Sequence, residues 1–467
     1  MKDIRLFIRS TLIYLVGNVF AKALSFLLLP IYTKYLTPGA YGLYDLSNTY
    51  NTFIQSILFL DIFAGIMRFM FDYKKEERDK PIVNGLAIFA LSAGVYAIVM
   101  VIAQVSGIHA FHYAWLLYFV GIASVFQQIV GYIARADGKN RYFVYGGIIG
   151  AVFNFATSLL FYVYLHLGYQ YIFVSTLIGL VINAWYVARK IHFRSRLHKE
   201  LFDRPLFKEM LAYSLPLSVN SAAFWFLTGF NRVAISNVLS VTQNGLFAVA
   251  SKFTSIIQLV TTCFQLAWQE LSFSKAGESK QEMSVFYSKA TNAYIVFLMW
   301  GLIFATPAVK IIFPYFIGAQ YASAEAIVPL AMFAAVASSV SSFLGSIINT
   351  IKQNKYIFTT TILAAVVNVA IVLALLKVIG IQAANVSLAA GFTVNCIRRV
   401  QLINRTFKLS VNLYQLLFPL VVFAIVYVVY VLTGAWVNLL MILVVAVVLF
   451  ARYHRQIMPM IRGFLHR

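Results

Sequence analysis

Long apolar runs separated by short polar connections follow one another from the start of this chain to its end. Each reaches the 18 or so residues that let a helix cross a hydrocarbon core. No stretch of soluble-like composition approaches about 100 residues, which leaves no room for a separate aqueous domain. The pattern predicts an all-α integral membrane protein with about 14 transmembrane helices. The first follows Lys2, Arg5 and Arg9 and ends before Lys34. It is too long for a signal-peptide core and no small-residue cleavage site follows it, so it reads as a membrane span. Five more complete the first half, at about 41–71, 82–104, 111–134, 142–166 and 170–189. Six follow at about 211–237, 244–271, 286–313, 323–350, 356–377 and 380–400, and two more at about 412–433 and 436–453.

The polar breaks repeat as well. Tyr35 to Gln55, with its Leu36-Thr37-Pro38 turn and Tyr41-Gly42-Leu43-Tyr44, realigns without a gap 203 positions later on Val238 to Gln258. Leu36 then falls on Leu239, Gly42 on Gly245, Ile54 on Ile257 and Gln55 on Gln258. A second pair at an offset of 214 sets Gly131 on Gly345, Asn140 on Asn354, Tyr142 on Tyr356 and Asn154 on Asn368. Two pairs in the same order at nearly the same offset predict a duplicated unit of roughly 200 residues. Six helices per unit is an even number, so the repeats enter the membrane from the same side, as in parallel-repeat transporters. The expected division is a six-helix lobe over 1–190, a cytoplasmic linker over 191–210, a second lobe over 211–405, and two additional helices with a tail over 406–467.

Composition agrees: 61% of residues are hydrophobic, 11% are charged, and mean hydropathy is +0.82. The net charge of +22 would fit a nucleic-acid binder, but its placement does not. Of the 37 Lys and Arg, 30 lie in alternate connections or at the termini. Only Lys34, Lys310 and Lys377 fall in the opposite connections. This is the positive-inside pattern, so the charge reports topology, puts both termini in the cytoplasm, and leaves no role for nucleic acid. Cys263 and Cys396 sit in apolar runs and read as small packing residues.

The remaining cations lie within helices: Lys22, Arg68, Arg232 and Lys252. An ionisable residue inside a membrane is costly and tends to face a bundle interior or a water-filled cavity. Lys22 is far from both ends of its helix, and Arg232 and Lys252 lie in the outer halves of theirs. Arg68 is near an inner end, where a headgroup anchor competes with a cavity role. Asp45 and Asp61 are the acids within the spans, available for coupling or charge balance, while Glu270 reads as interfacial. Asp61 and Arg68 are two turns apart, so each needs another partner. These groups sum to a cationic interior, which suits an anionic substrate because Arg and Lys pair with phosphate oxygens. Other motifs carry less. His109 and His112 read as an interfacial anchor, Gly146-Gly147 and Gly150 as close-packing positions, and Pro30, Pro216 and Pro307 as possible kinks. There is no phosphate loop, and no metal or cofactor is expected.

The chain resembles the polysaccharide transporter family of the MOP flippase superfamily, the Wzx-type oligosaccharide flippases. The residues that carry this are Gly17-Asn18-x-x-x-Lys22, Leu29-Pro30-Ile31, Leu36-Thr37-x-x-x-Tyr41-Gly42-Leu43-Tyr44, Arg68-Phe69, Leu215-Pro216, Asn244-Gly245-Leu246-Phe247 and Ala267-Trp268-Gln269. The resemblance implies two six-helix lobes around a central cavity, working by alternating access. It also implies translocation of undecaprenyl-pyrophosphate-linked oligosaccharide across the bacterial cytoplasmic membrane, for capsule, exopolysaccharide or O-antigen synthesis. Lys22, Arg232 and Lys252, with Arg68, would then hold the pyrophosphate. Membrane lipids, a polysaccharide polymerase and glycosyltransferases are the implied partners. Two positions depart from the family pattern, Asn231 where relatives often have Asp and Glu270 where they often have Pro; the first removes an acid that could couple a cation. The rivals are a lipid II flippase and a cation-coupled multidrug exporter, the latter supported by Asp45 and Asp61. A membrane enzyme is disfavoured, because the external loops are short and no acid pair of defined spacing occurs.

Overall fold

The computed structural model describes residues 2–74, 77–274, 279–351, 353 and 355–465. Lys75 and Glu76 of the charged turn and Asn354 of the repeat lie outside the described residues, as do the side chains of Asn18, Cys263, Ala267, Gln269 and Glu270. Among the described residues the chain is helical, with no strand. The first half runs α1 (Lys2–Tyr35), α2 (Pro38–Leu58), α3 (Ile62–Met70), α4 (Asp79–Val105), α5 (Ala114–Ala136), α6 (Asn140–Leu159), α7 (Gln170–Lys190), α8 (Arg204–Thr228) and α9 (Phe230–Val238). The second runs α10 (Val241–Ser274), α11 (Lys280–Phe316), α12 (Val328–Thr350), α13 (Lys355–Ile379), α14 (Gln382–Ile403), α15 (Leu413–Leu432) and α16 (Ala435–Leu465).

Among the described residues, 11 helices are long and apolar enough to span a membrane, or 12 if α2 and α3 form one bent span. The expected 14 is therefore not reached by that measure. α1 and α14 are helical where expected but fall outside this set, α14 because Gln382, Asn385, Asn395, Arg398 and Arg399 interrupt its apolar run. Two expected spans are also broken. The segment at 41–71 divides into α2 and α3 with a 42° bend. Its cause is Leu60 and Asp61, both left-handed at φ 56° and 48°, a conformation that costs an L-residue about 1–2 kcal/mol. The segment at 211–237 divides at Gly229 into α8 and α9. By contrast, α1, α8 and α11 run on through Pro30, Pro216 and Pro307.

The repeat reappears in the helix boundaries. α5 begins at 114 and ends at 136, and α12 begins at 328 and ends at 350, both 214 positions on. Gly131 and Gly345 each stand five residues before the end of their helix. The compact units follow a different division, however. One comprises Met1–Ala248 with Val372–Ile381, the other Val249–Ile371 with Gln382–Arg467. The boundary falls inside α10, not in the 191–210 segment expected to part the lobes. That segment is tied into the first unit: Phe193 is buried in its core, Arg196 pairs with Asp79 at 2.6 Å and Asp137 at 2.7 Å, and Asn84 bonds the backbone of Leu201 and Asp203.

In the first unit α5 is the central element, with Leu117, Ile129, Val130, Ile133 and Ala134 fully buried among side chains of α3, α4 and α7. Helices in lipid gain little from apolar burial against one another, so close approach and hydrogen bonds must hold them. α6 and α7 meet backbone to backbone at Gly150 and Gly179, where a Cβ on either would lie 2.6 Å from the other's carbonyl oxygen. Gly146 likewise faces Asn183 and Val187, as the packing reading expects, whereas Gly147 faces open space. Ser158 links three helices, bonding Tyr32 of α1 and Ser175 of α7, each at 3.0 Å.

In the second unit α11 is the longest element, 37 residues. Phe264 and Trp268 of α10 stack on Tyr294 of α11 and Phe343 of α12, and the Trp268 indole donates to Ser346 at 2.8 Å. Cys396 packs with its Sγ 3.7 Å from the Ala337 carbonyl, consistent with a packing role.

Replacing Gly150 with Ala should lower the thermal stability of the detergent-purified protein by about 1–3 kcal/mol, because backbone rather than a movable side chain blocks the new methyl. Arg196→Ala should cost a similar amount, about 1–3 kcal/mol, by leaving Asp79 and Asp137 without their shared cation. Thermal unfolding followed by tryptophan fluorescence would measure both.

Candidate functional site at the paired glycine turns

Two short polar turns open α2 and α10, and each is built the same way. The Thr37 hydroxyl accepts from the Ala40 amide at 3.2 Å, with Pro38 in the first helical turn, where its missing N–H costs nothing. At the repeat-related positions, 203 residues on, the Ser240 hydroxyl accepts from the Gln243 amide at 3.1 Å. These caps start the two helices against each other. A Cβ on Gly42 would strike the Val241 carbonyl oxygen and lie 2.7 Å from the Gly245 nitrogen. A Cβ on Gly245 would strike the Pro38 carbonyl oxygen and lie 3.1 Å from the Gly42 nitrogen. Gly42 and Gly245 are equivalent in the repeat, and so are Pro38 and Val241. The contact is thus reciprocal: each motif offers its glycine to the turn of the other, as in an isologous interface.

Polar groups lock this contact. Asn244, fully buried, donates to the Gly42 carbonyl at 3.0 Å and to Asp45 Oδ2 at 3.3 Å. Arg232 Nε donates to the same carboxylate oxygen at 2.7 Å, with side-chain exposures of 23% for Arg232 and 15% for Asp45. The guanidinium also lies over the Phe247 ring, 5.5 Å from its centroid. Arg232 is therefore engaged by a carboxylate along its Nε edge and by an aromatic ring on one face, and it keeps 23% of its side chain exposed. Below the pair, the Trp225 indole of α8 donates to the Thr49 carbonyl at 3.0 Å and its ring packs on Phe53 at 4.2 Å, seating the end of α8 along α2.

Two of the other expected site residues have partners of their own. Asp61, at the break between α2 and α3, accepts from the Ser221 hydroxyl at 2.5 Å. Arg68 pairs with Asp72 one turn away at 2.5 Å, and both are about half exposed, which favours the headgroup-anchor role over the cavity role. Lys22 is half-buried on α1 and Lys252 half-buried on α10 in the second unit. Arg68 and Asp61 thus pair with Asp72 and Ser221 rather than with Asp45 or Arg232.

Two charged groups escape sequence reasoning. Lys310, placed by the sequence in a connection, lies inside α11, pairs with Glu325 at 2.9 Å and sits 4.9 Å from the Tyr430 ring. Arg399, which the sequence analysis does not single out, is 5% exposed. It donates to the Ser341 carbonyl at 2.5 Å and to the hydroxyls of Ser341 and Thr360 at 3.2 Å each, so it ties α14 to α12 and α13. Gly345 makes the room, since a Cβ there would lie 2.8 Å from Arg399 Nη1. Among the described residues no carboxylate pairs with Arg399, and this all-neutral partnership has no signature in the sequence.

Comparison with known proteins places the architecture. A protein of the Lsg locus of Haemophilus influenzae is 22% identical over 329 residues, 67% of this chain and 78% of that one. The lipid II flippase MurJ in an inward closed conformation superposes with a TM-score of 0.74 at 13% identity, covering 95% of this chain and 99% of that one. An inward-facing multidrug resistance MATE transporter of the MOP superfamily gives 0.64 at 17% identity, covering 89% and 95%. At such identities the two structures show a shared fold alone, the helical fold of MOP transporters. The family described as polysaccharide biosynthesis protein matches residues 7–269, more than half of the chain, and this chain belongs to that family.

Proposed function

We propose that this protein is a flippase that carries undecaprenyl-pyrophosphate-linked oligosaccharide across the bacterial cytoplasmic membrane by alternating access, with both termini cytoplasmic. The observation that carries the proposal is the Asp45–Arg232 pair seated on the reciprocal Gly42–Gly245 contact. The pair joins a helix of the first sequence repeat to one of the second. The contact is backbone on backbone and is stitched by one carboxylate. When the turns separate, Arg232 loses Asp45 and becomes a bidentate donor able to take a pyrophosphate. Substrate and Asp45 then compete for one guanidinium, so an anionic lipid binds best when the turns are open. Lys22 and Lys252 add cationic charge to the translocation path, and Asp61 offsets part of it. Family membership in polysaccharide biosynthesis supports a lipid-linked glycan as cargo.

Carriage of the substrate is expected to need the cations. In a capsule-producing host deleted for this protein, Arg232→Ala or Lys22→Ala should abolish surface glycan while membrane-inserted protein is still detected on blots. Normal glycan with both variants would refute the assignment of these residues. If depletion causes lysis instead of viable, glycan-free cells, the cargo is lipid II. If the chain confers resistance to cationic dyes that Asp61→Asn removes, it is an exporter.

The turn contact makes its own prediction. A Cβ on Gly39 lies 3.3 Å from Thr242 Oγ1, within reach for a disulfide. In the double variant Gly39→Cys/Thr242→Cys, oxidation should stop glycan export and reduction should restore it. Export unchanged after complete cross-linking would show that the turns need not part.

A further inference from the structure

α7 and α14 carry a third matched stretch. Gln170, Ser175, Gly179 and Asn183 recur as Gln382, Ser387, Gly391 and Asn395, each 212 positions on. The structure agrees residue by residue. Each glutamine opens its helix. Ser175 and Ser387 are fully buried, and each donates at 3.0 Å to the carbonyl three residues before it. Asn183 and Asn395 are both buried. At the same offset Val187 corresponds to Arg399.

The crossing around these two residues is the same in both units. In the first, a Cβ on Gly146 would lie 2.5 Å from Val187 Cγ2, so the α6 glycine faces the α7 valine. Gly146 corresponds to Thr360 at the offset of 214, and Thr360 accepts from Arg399 Nε at 3.2 Å. Val187 is fully buried, and so nearly is Arg399. The fold therefore closes this crossing with an aliphatic side chain in one repeat and a guanidinium in the other. The surroundings change with it. Gln127, Gly146 and Gly147 of the first repeat are Ser341, Thr360 and Thr361 in the second, and these three are the residues that Arg399 bonds.

A charge within a membrane protein is costly and an aliphatic residue fits here, so packing alone does not account for the arginine. What the guanidinium adds is direction. Nε and Nη2 bond α13 while Nη1 bonds α12, so the group is held from two sides. Nε lies close to the stem, which leaves the side chain little slack. Sliding α14 by one turn, about 5.4 Å, would take these donors out of reach of their acceptors. Val187 loses little in such a slide, because apolar contact is non-directional. A single buried polar residue sets helix register in this way in coiled coils, at some cost in stability. The cradle does not itself require the arginine, since the Thr360 and Thr361 hydroxyls donate to the Ile357 carbonyl at 3.1 and 2.7 Å.

We propose that Arg399 is a positioning residue, a register lock that holds the C-terminal end of α14 on α12 and α13, so that these three helices keep one arrangement through transport. The lock stands on the geometry; its need in transport rests on the flippase reading.

Native Cys396 can report the register, because its Sγ lies 3.7 Å from the Ala337 carbonyl of α12. In the full-length protein carrying Cys263→Ala, a second cysteine would be introduced by Ala337→Cys. Ala334→Cys and Val340→Cys would place it three residues to either side, about 4.5 Å along the axis. Disulfides formed on oxidation in native membranes would be mapped by mass spectrometry. With Arg399 present, cross-linking should be confined to Ala337→Cys. Arg399→Met, apolar and unbranched, should spread it over all three sites while the melting temperature stays the same or rises. Cross-linking still confined to Ala337→Cys in Arg399→Met, or already spread with Arg399 in place, would overturn the lock. A melting temperature lower by more than about 4 °C would make Arg399 an ordinary stability contact and overturn it as well. In a glycan-exporting host, Arg399→Met should lose surface glycan at a normal protein level, and normal glycan would overturn the role in transport. If the wild-type chain itself restores no glycan to a deleted host, the flippase reading fails, and the cross-links still decide the lock.

Discussion

In hydrocarbon no water waits to satisfy a polar group, so every break in a helix and every buried charge needs a partner within the protein. This constraint orders the whole structure. Where α2 gives way to α3, the Asp61 carboxylate beside the break is met by Ser221 of α8. Where α8 gives way to α9 at Gly229, the nearby Trp225 indole reaches the backbone of α2 at Thr49. Asp45 accepts from Arg232 and Asn244, and Arg399 donates to the Ser341 carbonyl and to the hydroxyls of Ser341, Thr360 and Thr361. Breaks and charges are thus the points at which separate helices are tied together.

Glycine supplies the second constraint, close approach. With little gained from apolar burial between helices in lipid, association depends on how near backbones come. Gly150 against Gly179 is a fixed instance, flanked by the Ser158 links. Gly42 against Gly245 is a different kind. It lies at helix starts, it is repeat-symmetric, and it is locked by a single carboxylate shared by Arg232 and Asn244. The same close approach thus occurs within one helix bundle at Gly150 and between repeat-related helix starts at Gly42.

Pairing alters the electrostatic account of the interior. Four intrahelical cations against two acids read as a strongly positive cavity. In the structure Arg232 is cancelled by Asp45 and Arg68 by Asp72, so much of that charge is internally balanced. In a balanced pair the charge is exposed only if the pair opens.

The sequence by itself determined the class, the membrane location, the family and the duplication. These depend on long apolar runs and on one motif written twice, Leu36 to Gln55 and Leu239 to Gln258, and such signals are local or additive along the chain. It also singled out Asp45 and Arg232 as costly residues, because a charge within an apolar run is visible without knowing its neighbours. What tertiary structure alone decided is who meets whom. Asp45 and Arg232 are 187 positions apart, and Arg399 and Ser341 are 58 apart. The break at Leu60–Asp61 has no glycine or proline to announce it, and the unit boundary falls inside α10 because α8 and α9 pack against α2, α3 and α4. Partner choice is a property of packed surfaces, and in hydrocarbon it decides which charges are free to act. The twice-written turn shows both sides: its glycines are legible in the sequence, but only folding shows that they face each other.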